Sequence, residues 1–185
     1  MNDRKLIKPI LNASYQNQKQ AAKTLSGLGY TYDKKLSTNE SKVFVDSAGN
    51  PNIAFRGSKN VKDFLFSDPL LAIGASRFDP RIKDAQTLVK RVETKYGKPV
   101  DVTGHSLGAF LAERSGAKGN VITYNKAVGI DDIGKKIPKN QTDIRTSNDL
   151  VSALSLTQKY NGNRETIKGS LNPIVAHGID QLPFV

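Results

Sequence analysis

Apolar and polar residues follow one another along this chain in two rhythms, and the switches between them predict the order of its elements. From Tyr15 to Leu28, the residues Ala21, Leu25 and Leu28 share one helical stripe, and Gly27 with Gly29 supplies a stop, so a helix should end near Gly29. Lys42–Asp46 (KVFVD) and Asn52–Gly57 (NIAFRG) are β-type runs joined by SAGNP, a cluster of turn formers of hairpin length. Residues 42–57 are therefore expected to form an antiparallel hairpin. Asp79 and Pro80 open a second helix as N-cap and first helical residue, with Ile82, Ala85, Leu88, Val89 and Val92 as its buried stripe and Gly97 at its end. Pro99–Gly104 then reads as a strand, LGAFLAERSG as a helix and Asn120–Tyr124 as another strand, the βαβ rhythm of a parallel sheet. Thr142–Ser147 is the last strand expected, and the remainder reads as a loose tail. The fold class is α/β, with a mostly parallel central sheet flanked by helices.

Composition narrows this picture. A chain of 185 residues, 37% hydrophobic and 24% charged, is long enough for one domain with a real core, expected to span residues 1–185. The absence of Cys removes disulfides, thiolate catalysis and Cys-ligated zinc together. Apolar runs such as Leu70–Ile73 and Pro173–Ala176 fall far short of the roughly 20 residues a membrane span needs. The first residues show no signal peptide, so a cytoplasmic location is expected. Net charge is +11, concentrated in residues 1–62, which hold 11 basic against 4 acidic side chains. That excess reads as a solvated face or as attraction to an anionic surface.

Gly104-His105-Ser106-Leu107-Gly108 matches G-x-S-x-G, a short pattern whose context gives it weight. It follows the β-branched run Val100–Thr103 and opens an apolar helix, the strand, sharp turn and helix that a nucleophile elbow needs. A serine hydroxyl reacts only when a base takes its proton, and the usual base is a histidine oriented by a carboxylate. The chain has two histidines. His105 sits inside the elbow, where its ring should point away from the reacting group and serve structure. His177 is then the candidate base, late in the chain as hydrolase order requires. The acid should fall between them in sequence. Asp131, Asp132, Asp143 and Asp149 qualify, with Glu113 and Glu165 as outsiders. Asp149 is favoured because it follows the C-terminal end of the expected strand at 142–147, the edge where α/β active sites collect.

Several separated blocks, NIAFRGS, KNVKDFLFSD, VDVTGHSLGAFLAE and RTSNDLVSAL, together resemble the class 3 lipases, an α/β-hydrolase family that includes fungal triacylglycerol lipases. The resemblance implies an α/β-hydrolase domain and a serine ester hydrolase that needs no cofactor or metal and cleaves a lipid or other acyl ester. It makes Ser106 the nucleophile, Asp149 the acid and His177 the base. Ser58 and the backbone N–H of Leu107 would form the oxyanion hole, with Asp68 or Asp63 holding the Ser58 hydroxyl and Arg56 structural. In place of a helical lid the chain has only PLLAIGASRF (residues 69–78), and YNKAVGID replaces the family's aromatic-and-proline segment. Compact lidless lipases of large DNA viruses are similar, which extends the expected location to a virion and the expected partners to virion components. Peripheral contact with anionic membrane is expected from the basic first third, and nucleic acid is not an expected partner. The alternative is a catalytically spent hydrolase scaffold, acting as a membrane-associating or virion structural protein.

Overall fold

The computed structural model describes residues 4–58 and 79–183. Seven strands form one sheet in chain order: β1 (Thr31–Tyr32), β2 (Ser41–Val45), β3 (Pro51–Phe55), β4 (Asp101–His105), β5 (Val121–Tyr124), β6 (Gln141–Thr146) and β7 (Asn163–Ile167). The first three pair antiparallel, and β3 through β7 run parallel. The expected hairpin is β2 with β3, in a register from Ser41 opposite Phe55 to Val45 opposite Pro51. Its turn is organised by the Asp46 carboxylate, which accepts from the amides of Ala48 (3.0 Å) and Asn50 (2.8 Å).

Helices lie on both faces. On one face are α3 (Asp79–Tyr96) and α4 (Leu107–Arg114), whose Ala85, Leu88, Val89, Val92, Phe110 and Leu111 cluster with Val43, Ile53, Phe55, Val102 and Val121. They are the crossovers between β3 and β4 and between β4 and β5. Strands added in chain order with crossovers of one hand put both connections on the same side. The alternate positions, Phe44, Ala54, Ile122, Tyr124 and Ile144, point the other way, against α1 (Ile7–Tyr15) and α2 (Gln18–Gly27). Residues along a strand alternate faces, so the near-continuous burial of β2 to β6 follows from cover on both sides.

Two expectations change. The helix expected from Tyr15 begins at Gln18, where Asn17 caps it by accepting from the Gln20 amide at 2.9 Å. Tyr15 instead closes α1, a separate helix that buries Ile7, Ile10, Leu11 and Ala13. The loose tail is also structured: β7 pairs with β6 over five residues, and α5 (Pro173–His177) follows, with Asn172 as its cap and Pro173 at its first position. Among the described residues, no helix is long and apolar enough to cross a membrane.

Candidate active site

The parallel strands end at one edge, and the sequence-predicted residues follow those ends. Ser58 comes three residues after β3, Ser106 directly after β4 and Asp149 three residues after β6. Ser106 has φ 59° and ψ −124°, a left-handed value for a non-glycine residue, imposed by the turn from β4 into α4. Its flanking glycines are required by contact. A Cβ on Gly104 would collide with the backbone of Gly108 and Ala109, and one on Gly108 with the carbonyl of Phe55. The end of β3 packs equally close, since a Cβ on Gly57 would stand 2.7 Å from the His105 carbonyl oxygen and 3.3 Å from the Ser106 Cβ. Leu107 starts α4, and a first-turn amide has no acceptor within its helix.

Asp149 and His177 meet. The Asp149 Oδ1 and His177 Nδ1 atoms are 2.9 Å apart, with both side chains buried. The same carboxylate accepts from the amides of Val151 (3.1 Å) and Ser152 (3.0 Å). Burial alone would raise the Asp149 carboxyl; the hydrogen bond and charge of His177, with the Ser152 and Val151 contacts, outweigh it and hold the group below its ordinary range. His177 Nε2 is buried without a hydrogen-bond partner among the described residues. Ser106 and His177 are 2% and 0% exposed. Their elements touch through His105, whose ring centroid lies 4.7 Å from that of His177 and whose Nε2 is 2.7 Å from the His177 carbonyl oxygen.

Of the other acidic candidates, Asp131 is exposed in the 3₁₀ turn Ile130–Asp132, and the rest are engaged elsewhere. Asp143 lies within β6 and binds Lys126 (2.8 Å) and Tyr160 (2.8 Å). Asp132 pairs with Arg114 and Lys135, Glu113 with Lys126 and Arg114, and Glu165 with Arg4. Arg56 pairs with Glu40, which also holds Arg81 at 2.9 Å. Asp63, Asp68 and the segment 69–78 lie outside the described residues. Among the described residues no cluster of three His, Asp or Glu side chains could hold a metal ion.

One contributor was invisible in the sequence. The Tyr15 hydroxyl, at the end of α1, lies 2.8 Å from His105 Nδ1. Burial pushes the Tyr15 hydroxyl up to about 12 and, with the nearby His177, pushes His105 down to about 3, so both groups are neutral. A neutral His105 that accepts from Tyr15 at Nδ1 must carry its proton on Nε2, where it donates to the His177 carbonyl. Its role is structural. Nothing local in ASYQN signals this contact, which spans 90 positions of chain.

Neither a protein-family model nor a curated protein sequence matches the chain. A solved structure of a mutant form of MDLA from Penicillium cyclopium, a Penicillium lipase, is similar at 17% identity and a TM-score of 0.56. The match covers 90% of this chain and 79% of that one. The fold is therefore lipase-like: an α/β sheet, mostly parallel, with an antiparallel hairpin and flanking helices.

Proposed function

We propose that the protein is a serine ester hydrolase that cleaves a lipid or other acyl ester. The observation that carries this reading is the buried 2.9 Å contact between Asp149 and His177, set against the strained Ser106 turn. In this reading the Ser106 Oγ bonds to the ester carbonyl carbon while His177 Nε2 takes its proton. Asp149 keeps the His177 proton on Nδ1, leaving the Nε2 lone pair toward the serine. The Leu107 N–H and Ser58 donate to the oxyanion; losing one such donor costs about 10² to 10³ in rate. The carbon–oxygen bond to the alcohol then breaks, the alcohol leaves with the proton from His177, and water repeats the sequence to free the acid and restore Ser106.

A spent scaffold is the competing reading, favoured by one observation, that His177 Nε2 has no hydrogen-bond partner among the described residues. In unliganded hydrolases such bonds are often long and tighten only when substrate arrives. A fluorophosphonate probe separates the two. The hydrolase reading expects one label per chain on Ser106, none on the Ser106→Ala variant and greatly slowed labelling of His177→Ala. An unlabelled native chain with an intact fold would leave the spent scaffold.

A further inference from the structure

The base stands on a weak support. α5 has five residues, too few for a helix to hold its own shape. Something outside it must set where His177 stands; His105, Thr146 and Asn125 donate to its carbonyls, and Asn125 alone reaches both Ala176 and His177. Asn125 follows β5, is completely buried, and has φ 42°, a left-handed conformation that asparagine tolerates better than most residues. Its Nδ2 donates to the carbonyls of Ala176 (3.0 Å) and His177 (3.1 Å). Its Oδ1 accepts from the Thr146 amide at 2.8 Å. The Thr146 hydroxyl, with one proton to give, lies within reach of both that Oδ1 (2.9 Å) and the Ala176 carbonyl. Thr146 in turn ends β6, and its carbonyl accepts from the Asp149 amide at 3.3 Å.

We infer that Asn125 is a positioning residue: one amide group that ties the helix bearing His177 to the strand end bearing Asp149, fixing the separation of the two. The inference rests on the reading of those residues as base and acid. The chemistry demands an amide. Two carbonyls on one side accept from it, and the Thr146 N–H on the other needs an acceptor. Only a side chain carrying both a donor pair and an acceptor at this length serves all three. The left-handed backbone directs the side chain away from the path that β5 would otherwise continue. The clamp does not touch the reacting atoms, so its loss should displace the base and leave the serine in place. A misplacement of about 1 Å in a catalytic group can cost on the order of 10²-fold in rate.

Two variants separate positioning from space filling. Asn125→Gly accepts the same φ and deletes the clamp. Asn125→Asp keeps size and shape, still accepts from Thr146, and turns a second acceptor toward the carbonyls of Ala176 and His177. The readout is the NMR signal of the His177 Nδ1 proton shared with Asp149, in 15N-histidine-labelled protein. It needs no substrate. We expect that proton to broaden or exchange rapidly in both variants, and fluorophosphonate labelling of Ser106 to slow by about 10²-fold. A sharp, unshifted Nδ1 proton in both folded variants, or Asn125→Asp labelling at the native rate, would overturn the clamp. If neither variant folds, the native chain decides, because the Asn125 Nδ2 protons must then be protected from exchange and rapid exchange refutes the bonds. A native chain with the Nδ1 signal, lost in the variants, and no labelling at all would refute the hydrolase reading and leave the clamp standing.

Discussion

The two halves of the sheet, divided at β4, are held together by different forces. From β2 to β4 the face under α3 and α4 presents Val43, Ile53, Phe55 and Val102, and its cover is apolar. From β5 to β7 the same face is overlaid by residues 125–140 and 147–162, which hold two 3₁₀ turns and an isolated bridge from Lys136 to Lys159. Beneath them lies a network of charge. Lys126, 2% exposed, binds Glu113 and Asp143. Gln141 bridges the same two carboxylates at 2.8 and 2.6 Å, and Thr123 and Tyr160 complete the shell of Asp143. Apolar burial is non-directional and tolerates adjustment, whereas a buried ion pair works only while every partner is present. Ser106 stands at the seam, between a half that is packed and a half that is wired.

The largest effect is expected at the seam itself. Ser106→Ala should remove ester hydrolysis by about 10⁴-fold or more while leaving the melting temperature almost unchanged, since it deletes mechanism and little packing. Turnover of p-nitrophenyl esters alongside a thermal melt checks both halves of that statement. Next come the ions. Lys126→Met leaves two carboxylates buried against each other and should cost about 3 to 5 kcal/mol of stability in denaturant unfolding. Replacing Glu113, Lys126 and Asp143 together by apolar residues should recover most of that loss; failure to recover it would mean the network does more than compensate its own charges.

An effect smaller per unit of pH, which accumulates over several units, tests the seam by titration. His105 is held neutral, pushed down to about 3 by burial and by His177, against 6.5 when unfolded. Below pH 6.5 the unfolded chain takes up a proton that the folded chain refuses. Stability should therefore fall by up to about 1.4 kcal/mol per pH unit between 6.5 and 3, and His105→Asn should remove that slope. Asp143 acts lower. Burial would raise its carboxyl, but Lys126, Thr123 and Gln141 hold it below its ordinary 3.8. Its contribution is complete above that value and is lost as pH falls beneath it. The smallest effect belongs to the packed half, where Ile53→Val should cost about 0.5 to 1.5 kcal/mol with no pH dependence.

The same division governs what could be read from the sequence. The packed half was legible because its signals are local: the stripe of α3, the two β-type runs of the hairpin around their turn formers, and the glycine-flanked elbow. The wired half hides its core in polar letters. Gln141, Asp143, Gln158 and Lys126 read as surface residues, yet all four are buried. β7, written NRETI, shows no apolar alternation because it is an edge strand of mixed exposure. Asp149 stands out nevertheless, because strand direction and not residue chemistry points to it. Helix α1 gives no sequence signal for another reason. Its buried side chains are crowded into nine residues interrupted by Pro9 and Asn12, too short a window for a periodic signal. Tyr15 and Asn125 act through partners far along the chain, and no local pattern encodes such contacts.

The reach of α1 has a consequence in time. Ile7 and Leu11 pack with Leu182, and Lys8 donates to the carbonyl of Asp180 at 3.2 Å, across 172 positions. His105 meets the His177 carbonyl across 72. Contacts between segments so distant in sequence are slow to form, because loop closure must precede any reward. A ribosome would release the Ser106 turn before the segment that carries His177. The contact of His177 with Asp149 therefore forms late, once the first helix and the C-terminal residues have closed on each other.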